Sequence, residues 1–159
     1  MRDFLNQFEN AIEDAAARLS KLSEEESGTV PAAGKWCPKE IVGHLIDSAA
    51  NNHQRFVRAQ MQDDLLFPGY EQERWVELQC YRNANWTELL ELWRLYNRHL
   101  VRVVRQIPAE ALKRPRKRHN LNEIAWQQVP ATEPVTLEYF IRDYVGHLKN
   151  HLEQIFQNK

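Results

Sequence analysis

Hydrophobic residues recur every three to four positions along four stretches of the chain, and polar residues fill the positions between them. This period is typical of amphipathic α-helices, each with one apolar face turned toward a core. Pro38 suits the first turn of the second helix, where a missing backbone N–H costs nothing. The pattern predicts helices over residues 2–24, about 38–62, about 85–107 and about 137–157.

Two long connections separate the predicted helices. Residues 63–84 contain a Pro68-Gly69 turn and several large aromatic side chains, and loops of this kind often cover an apolar surface or a pocket. Residues 109–135 keep no sustained period, which indicates a crossover loop with a short extended pair around residues 124–129. Together these features predict an all-α fold, a four-helix bundle with two long connections that forms a single domain over residues 1–159.

Composition narrows the classes of partner. The formal net charge is −1, with 43% hydrophobic and 27% charged residues, so the chain has no overall attraction to nucleic acid or to an anionic membrane. No apolar run approaches the roughly 20 residues of a membrane span. The first residues lack the apolar core of a signal peptide, and two cysteines do not indicate a disulfide scaffold. We therefore expect a cytoplasmic protein with reduced thiols that binds neither nucleic acid nor membrane.

The candidate chemistry begins in the fourth predicted helix, where His147 and His151 are four residues apart. Residues at this spacing share one helix face, so both imidazoles can reach one divalent cation at about 2.0–2.1 Å. The pattern lacks the glutamate of an HExxH motif, and it also fits two surface or core histidines that happen to share a face. Two ligands seldom hold a metal tightly, so a third must come from elsewhere.

His44 is the best third ligand, because it begins a polar stripe on the second helix and the two helices can pair in a bundle. Three neutral imidazoles leave coordination positions open for water or substrate, which is typical of a catalytic site rather than a closed structural one. Asp47 and Asp143 lie one turn from His44 and His147. Either carboxylate could orient an imidazole or bind a neighbouring polar group.

The same polar stripe continues to Asn52 and Arg55, which are the candidate catalytic residues. Their side chains could hold a substrate carboxylate or carbonyl group. For Arg55, a salt bridge to an acidic neighbour is an equally good interpretation. Cys37 lies at the predicted N-cap of the second helix, where a thiol can have a lowered pKa. It has no acid–base partner adjoining it in sequence, so a structural cap is favoured over a nucleophile.

Two other features carry less weight. The basic run 113–119 is interrupted by proline on a near-neutral chain, which favours a solvated loop over a nucleic-acid patch. His53, His99 and His119 have no partner at metal-ligand spacing, and we interpret them as surface or packing residues.

The order and spacing of several motifs resemble the DinB/YfiT superfamily over nearly the whole chain. These motifs are Trp36 and the stretches 43–48, 52–56, 70–75 and 143–155. The resemblance implies a four-helix bundle, often dimeric, in which one histidine of the second helix and two of the last hold nickel or zinc. Those positions match His44, His147 and His151 residue by residue.

The resemblance also implies an activity. Members of this superfamily include thiol-S-transferases that use low-molecular-weight thiols, isomerases that depend on such thiols, and metal-dependent hydrolases. The first hypothesis is therefore an enzyme with a three-histidine metal site that acts on a small molecule. A non-catalytic, dimeric stress or damage-inducible protein that binds metal is the alternative. DNA association through residues 113–119 is a third and weaker option.

Overall fold

The structure, a computed structural model, describes residues 1–157. A single 3-10 turn at Tyr81–Asn83 accompanies the α-helices. Extended backbone pairing in the described part of the chain is limited to two isolated bridges, between Leu65 and His119 and between Arg116 and Val135. The helices in chain order are α1 (Arg2–Leu19), α2 (Glu24–Gly28), α3 (Pro38–Arg58), α4 (Gln72–Gln79), α5 (Trp86–Arg105), α6 (Ala109–Lys113), α7 (Leu121–Ile124) and α8 (Leu137–Gln157).

The four long helices α1, α3, α5 and α8 form the bundle, which confirms the predicted fold class and its two long connections. Helix α3 packs against both α5 and α8, and α1 packs against α5. Burying a large apolar side chain contributes roughly 1.5–3 kcal/mol, so this shared interior is the main source of stability. Its largest almost fully buried apolar side chains include Leu5, Ile12, Leu45, Phe56, Trp93, Leu100, Leu121 and Phe140.

Local sequence explains where the long helices begin. Pro38 opens α3, and the backbone N–H of Cys37 donates to the Glu40 carboxylate over 2.9 Å. The side chain of Asn85 accepts the backbone N–H of Glu88 over 3.0 Å, so Asn85 caps α5. The bounds of α8 agree with the predicted 137–157, whereas α3 ends at residue 58 rather than about 62.

The first predicted helix is too long, because a new helix starts inside it. The side chain of Ser23 accepts the backbone N–H of Glu26, and the carboxylate of Glu26 accepts the backbone N–H of Ser23. This reciprocal capping box satisfies two amide donors at a helix start. The chain therefore leaves α1 at Leu19 and begins α2 at Glu24.

The two connections hold short helices that the hydrophobic period does not reveal. Helix α4 and the 3-10 turn occupy residues 72–83 of the first connection, and α6 and α7 lie in the second. Helices of four to eight residues give the pattern too few repeats to be recognised. The extended pair predicted around residues 124–129 is wrong, since α7 runs to Ile124 and the pairing lies instead between Arg116 and Val135.

The basic run 113–119 is only partly a solvated loop. Arg116 is 2% exposed, and it donates to the carbonyl oxygens of Ala59 over 2.9 Å and Ala111 over 3.2 Å. The ring of His119 lies 2.7 Å from the carbonyl oxygen of Glu133. The interpretation of Arg116 as part of a solvated loop is therefore wrong, whereas His119 is a packing residue, one of the two interpretations given for it. Both side chains fasten the crossover to the bundle.

None of the helices between residues 1 and 157 combines the length and the apolarity needed to span a bilayer.

Candidate metal centre

Three histidine side chains converge where α3 and α8 pack together. One ligand-capable nitrogen from each of His44, His147 and His151 lies within 4.8 Å of the other two. The Nε2 atoms of His44 and His147 are 3.2 Å apart. The three ring centroids are 4.5 to 5.1 Å apart. The residues that the sequence predicts as metal ligands are thus neighbours in the structure.

This geometry fits a divalent cation. Two nitrogens bound to a tetrahedral ion at about 2.0–2.1 Å are about 3.3–3.4 Å apart. The observed Nε2 separation between His44 and His147 is 3.2 Å. The buried Nδ1 atoms of His44 and His151 have no hydrogen-bond partner in residues 1–157. Two polar atoms of the cluster are therefore not satisfied by the protein itself. Neutral imidazoles suit zinc, nickel, copper or iron.

Aromatic side chains pack around the histidines. The Trp36 ring centroid lies 5.2 Å from that of His44 and 6.4 Å from that of His151. Tyr70 contributes a second ring, with its centroid 6.5 Å from that of His44. Rings in these positions limit the access of water and lower the local dielectric constant. The imidazoles are therefore held in an environment that disfavours their charged form.

Burial keeps the histidines neutral. Desolvation, together with a smaller effect of the neighbouring rings of the cluster, lowers the pKa of His44 to about 3 and that of His147 to about 4. Desolvation also lowers the pKa of His151. An imidazole must be deprotonated to bind a metal. At neutral pH these three side chains are therefore ready to act as ligands.

The lowered pKa values predict how the stability of the metal-free protein depends on pH. An unfolded histidine binds a proton below about pH 6.5, whereas folded His44 and His147 resist protonation until about pH 3 and pH 4. The unfolded state therefore gains protons first as the pH falls, and the free energy of unfolding should drop between about pH 6.5 and pH 4. Urea unfolding of chelator-treated protein at pH 7.5 and pH 5.0 measures this.

The double variant His44→Gln/His147→Gln provides the control for that measurement. It lacks both titrating rings, so it should lose distinctly less stability than the wild type between pH 7.5 and pH 5.0. Burial raises the pKa of Asp47 and of Asp143, but both variants keep these carboxylates and the comparison cancels their effect. Equal losses in the two proteins would contradict the assignment of the pH dependence to the histidine cluster.

Asp47 and Asp143 do not orient the imidazoles. Asp47 Oδ1 accepts hydrogen bonds from the Tyr81 hydroxyl over 2.7 Å and from the Gln79 amide over 2.8 Å. Asp143 accepts the backbone N–H groups of Trp126 and Gln127 over 2.9 and 2.7 Å. The first carboxylate thus attaches the aromatic connection to α3, and the second attaches the crossover to α8.

A cavity of about 360 Å³ opens beside His147 and His151. This volume falls in the range of small-molecule sites, which is about 300–1,000 Å³. Tyr70 from the first connection lines the cavity, as do both candidate catalytic residues, Asn52 and Arg55. Two of the metal-ligand candidates, His147 and His151, and the polar stripe of α3 therefore line the same space.

The two candidate catalytic residues are buried and interact with each other. Asn52 is 6% exposed and Arg55 5%. The Asn52 amide donates to the carbonyl oxygen of Ser48 over 2.9 Å, and one Arg55 nitrogen lies 3.5 Å from Asn52 Oδ1. A second Arg55 nitrogen donates to the carbonyl oxygen of Pro68 over 2.7 Å. The salt bridge considered for Arg55 is wrong, since no carboxylate pairs with it among the described residues.

The remaining cysteine and histidines lie outside the cluster. Cys37 is buried, and desolvation raises the pKa of its thiol, which argues against a nucleophile. His53 and His99 do meet, with ring centroids 4.9 Å apart, and His53 Nδ1 lies 3.4 Å from the Tyr96 hydroxyl. The sequence spacing gave no sign of that contact, which is made across α3 and α5.

Sequence reasoning missed Trp126 as part of the cavity. This side chain is 43% exposed, lies in the crossover, and covers the backbone of α8 at Gly146. A Cβ atom added at Gly146 would be 2.9 Å from the Trp126 ring, so any larger residue would force that ring to shift. A glycine between Val145 and His147 in a helical pattern was the available signal, because such glycines often mark a close approach.

The sequence of this chain is similar to a known protein family and to individual bacterial proteins. Residues 7–155 match the sequence model of the DinB superfamily. The protein named "Putative metal-dependent hydrolase YfiT" from Bacillus subtilis is 23% identical over 148 residues, which cover 91% of this chain and 78% of that one. A protein of Oceanobacillus iheyensis with the same kind of name is 24% identical over 155 residues, or 95% of this chain and 83% of that one.

One further relative aligns with about half of this chain, and one solved structure has a similar fold. A further relative so named, from Bacillus mycoides, is 25% identical over 75 residues, and the alignment spans 47% of this chain and 43% of that protein. The solved structure of YfiT from Bacillus subtilis, described as having "an unusual four-helix bundle topology", superposes with a TM-score of 0.76. That likeness covers 99% of this chain and 87% of the other at 20% sequence identity, and it supports the bundle fold.

Proposed function

Because this chain belongs to the DinB superfamily, we propose that it is a metal-dependent enzyme that transfers a low-molecular-weight thiol to a small electrophile. The observation that carries the proposal is the convergence of His44, His147 and His151 at a cavity of about 360 Å³. A structural metal site is usually closed by a fourth protein ligand. Here the described residues offer three, and the open side faces a space that a small molecule can fill.

The cation would supply one kind of chemistry. A bound nickel or zinc ion lowers the pKa of a coordinated thiol or water and so provides a nucleophile at neutral pH. The protein's own residues prepare the site for it. The three imidazoles stay neutral because His44 is buried and His147 and His151 are half-buried, and the rings of Trp36 and Tyr70 restrict access of bulk water.

The transfer itself is a substitution at the electrophile. The thiol sulfur forms a bond to the electrophilic carbon, the leaving group departs with the electron pair of the broken bond, and the thiol proton passes to solvent. Arg55 lies in the same cavity and binds the part of the substrate that does not react, and Asn52 Oδ1, 3.5 Å from an Arg55 nitrogen, positions the guanidinium. Hydrolysis of a small electrophile follows from the same arrangement when water takes the place of the thiol.

The other expectations from the sequence stay predictions and complete the proposal. We place the enzyme in the cytoplasm, where small thiols are abundant and Cys37 and Cys80 stay reduced. The resemblance implies a homodimer. The single domain over residues 1–159, the absence of nucleic-acid and membrane partners, and the choice between nickel and zinc belong to the same set.

Turnover with a panel of thiols tests the proposal. We expect the protein loaded with nickel or zinc to accelerate conjugation of chlorodinitrobenzene or monochlorobimane with at least one of bacillithiol, mycothiol or glutathione. Chelation should abolish the acceleration, and added metal should restore it. Ester cleavage without thiol, at a rate that depends on metal, would support the hydrolase form instead. Absence of any rate that depends on metal would favour the non-catalytic binding protein.

A further inference from the structure

Arg55 is a buried cation for which the protein provides no counter-charge. Its side chain is 5% exposed, and its guanidinium donates to the Pro68 carbonyl over 2.7 Å and approaches Asn52 Oδ1 at 3.5 Å. Both are neutral acceptors, and no salt bridge joins Arg55 to a carboxylate within residues 1–157. A guanidinium keeps its charge in proteins and has five N–H donors, so three of them have no protein acceptor.

The acidic residues of the same cavity do not fill this role. The two carboxylate oxygens of Asp143 accept hydrogen bonds from the backbone N–H groups of Trp126 and Gln127. Glu123 also lines the cavity, but its side chain is exposed to solvent and forms no salt bridge with Arg55. Burying a charge is costly unless it is paired. A cavity ligand with a negative charge would supply the missing pair.

Asn52 fixes Arg55 and is not itself free to bind. Its amide nitrogen donates to the carbonyl oxygen of Ser48 over 2.9 Å and lies 3.4 Å from the Ser48 hydroxyl. Its Oδ1 atom faces the Arg55 guanidinium. Of the two ligand groups compatible with the sequence, a carboxylate and a carbonyl, only the carboxylate balances the charge. Asn52 is therefore a positioning residue.

The cavity has apolar walls beside its polar groups. Phe140, Tyr144, Ile124, Ala125 and Trp126 line it together with Arg55 and His147. The Arg55 guanidinium carbon lies 5.9 Å from the centroid of the Phe140 ring, and His147 is two helical turns further along α8. A ligand that reaches from Arg55 to His147 lies against these apolar side chains, so an uncharged, largely apolar body suits it.

Helix geometry sets an approximate length for that body. The seven-residue step from Phe140 to His147 rises about 10 Å along α8. About 2 Å of this separates a metal from its donor atom, and about 3 Å separates a guanidinium nitrogen from a carboxylate oxygen. Roughly 5 Å is left for the ligand, which is the reach of about four single bonds.

We propose that the substrate or thiol bound in this cavity is a carboxylic acid, whose carboxylate pairs with Arg55 while an atom about four bonds away reaches the three histidines. Arg55 is the sole cation that lines the cavity in the described residues, and one planar guanidinium suits a monoanionic carboxylate. The contact of the ligand with the three histidines rests on the proposed function. The pairing of its carboxylate with Arg55 is inferred from the buried, unpaired charge of that side chain.

Binding of mercapto acids to the metal-loaded protein tests the proposal. We expect 4-mercaptobutyrate to bind at least tenfold more tightly than 4-mercaptobutanol by isothermal titration calorimetry, because the alcohol has the same length without the charge. The preference should be smaller for 2-mercaptoacetate and its alcohol, mercaptoethanol, which are too short to span the cavity. Equal affinity for the acid and the alcohol of four carbons would overturn the proposal.

Variants assign the preference to Arg55. The variant Arg55→Gln should lose the preference for the acid, so that its affinities for 4-mercaptobutyrate and 4-mercaptobutanol become similar. The variant Lys149→Gln removes an exposed charge on α8 outside the cavity and should keep the preference. If Arg55→Gln does not fold, the acid–alcohol comparison on the wild type still decides. An unchanged preference in folded Arg55→Gln would overturn the role of this residue.

A final arm separates this inference from the proposed function. In chelator-treated protein, pentanoate should shift the Arg55 side-chain N–H resonance, identified by its absence in Arg55→Gln, whereas pentanol should not. That shift in a protein that binds no metal would support the anion site while removing the metal chemistry. Tight metal binding without any pentanoate shift, and without the acid preference, would support the metal site and overturn the anion site.

Discussion

Replacing His147 with alanine should lower the affinity for nickel or zinc at least about 100-fold, because loss of a mere orienting partner already costs about 10–100-fold. His147 is the ligand candidate whose Nε2 lies 3.2 Å from that of His44. Any metal-dependent turnover should disappear with it. Equilibrium dialysis followed by elemental analysis measures the bound metal, and circular dichroism at equal concentration verifies that the variant is helical.

The matched control for this change is His53→Ala. His53 lies on the same bundle, contacts His99 and belongs to no group of three candidate ligands in residues 1–157. It should bind metal as the wild type does. A folded His147→Ala protein that keeps full affinity would show that the three rings do not share an ion, and the proposed chemistry would fail with it.

Replacing Gly43 with alanine should destabilise the fold by about 2–3 kcal/mol, the upper part of the roughly 1–3 kcal/mol that forcing extra atoms into a packed core costs. A Cβ atom at this position of α3 would overlap the ring of Tyr81. That ring is 8% exposed, and its hydroxyl donates to Asp47 over 2.7 Å, so it cannot move without breaking a buried hydrogen bond. We expect the midpoint of thermal unfolding to fall by about 5–10 °C.

The same substitution at Gly28 is the control, because nothing lies within 4 Å of an added Cβ there. Alanine is the better helix former, so Gly28→Ala should leave stability unchanged or raise it slightly. Removing the obstacle should also remove the penalty, so Gly43→Ala/Tyr81→Ala should be no less stable than Tyr81→Ala alone. Additive losses in the double variant would show that the overlap is not the cause.

The sequence predicted the parts of this structure that repeat. Helix α8 and the pairing of His147 with His151 follow from a period that extends over 21 residues. His44 could be added because a polar stripe on one helix and a histidine pair on another need only one packing contact to meet. These predictions depend on spacing within an element, which a sequence displays directly.

The sequence could not predict contacts across connections. Asp143 lies one turn from His147, but its partners are backbone amides from a crossover far away in the chain. Arg116 looked solvated because basic runs usually are, whereas its acceptors are carbonyl oxygens at the end of α3 and after α6. Every residue type has a backbone carbonyl and almost every one a backbone N–H, so the sequence does not indicate which of them a distant side chain will bind.

The histidine cluster joins segments separated by 103 positions in the chain. An ion held there would act as a removable cross-link between the second and the last long helix. At a free concentration one hundred times its dissociation constant, such a ligand adds about 2.7 kcal/mol to the folded state. The supply of metal in the cell would then control how long the protein resists proteases, and the metal-free protein would be degraded faster when metal is scarce.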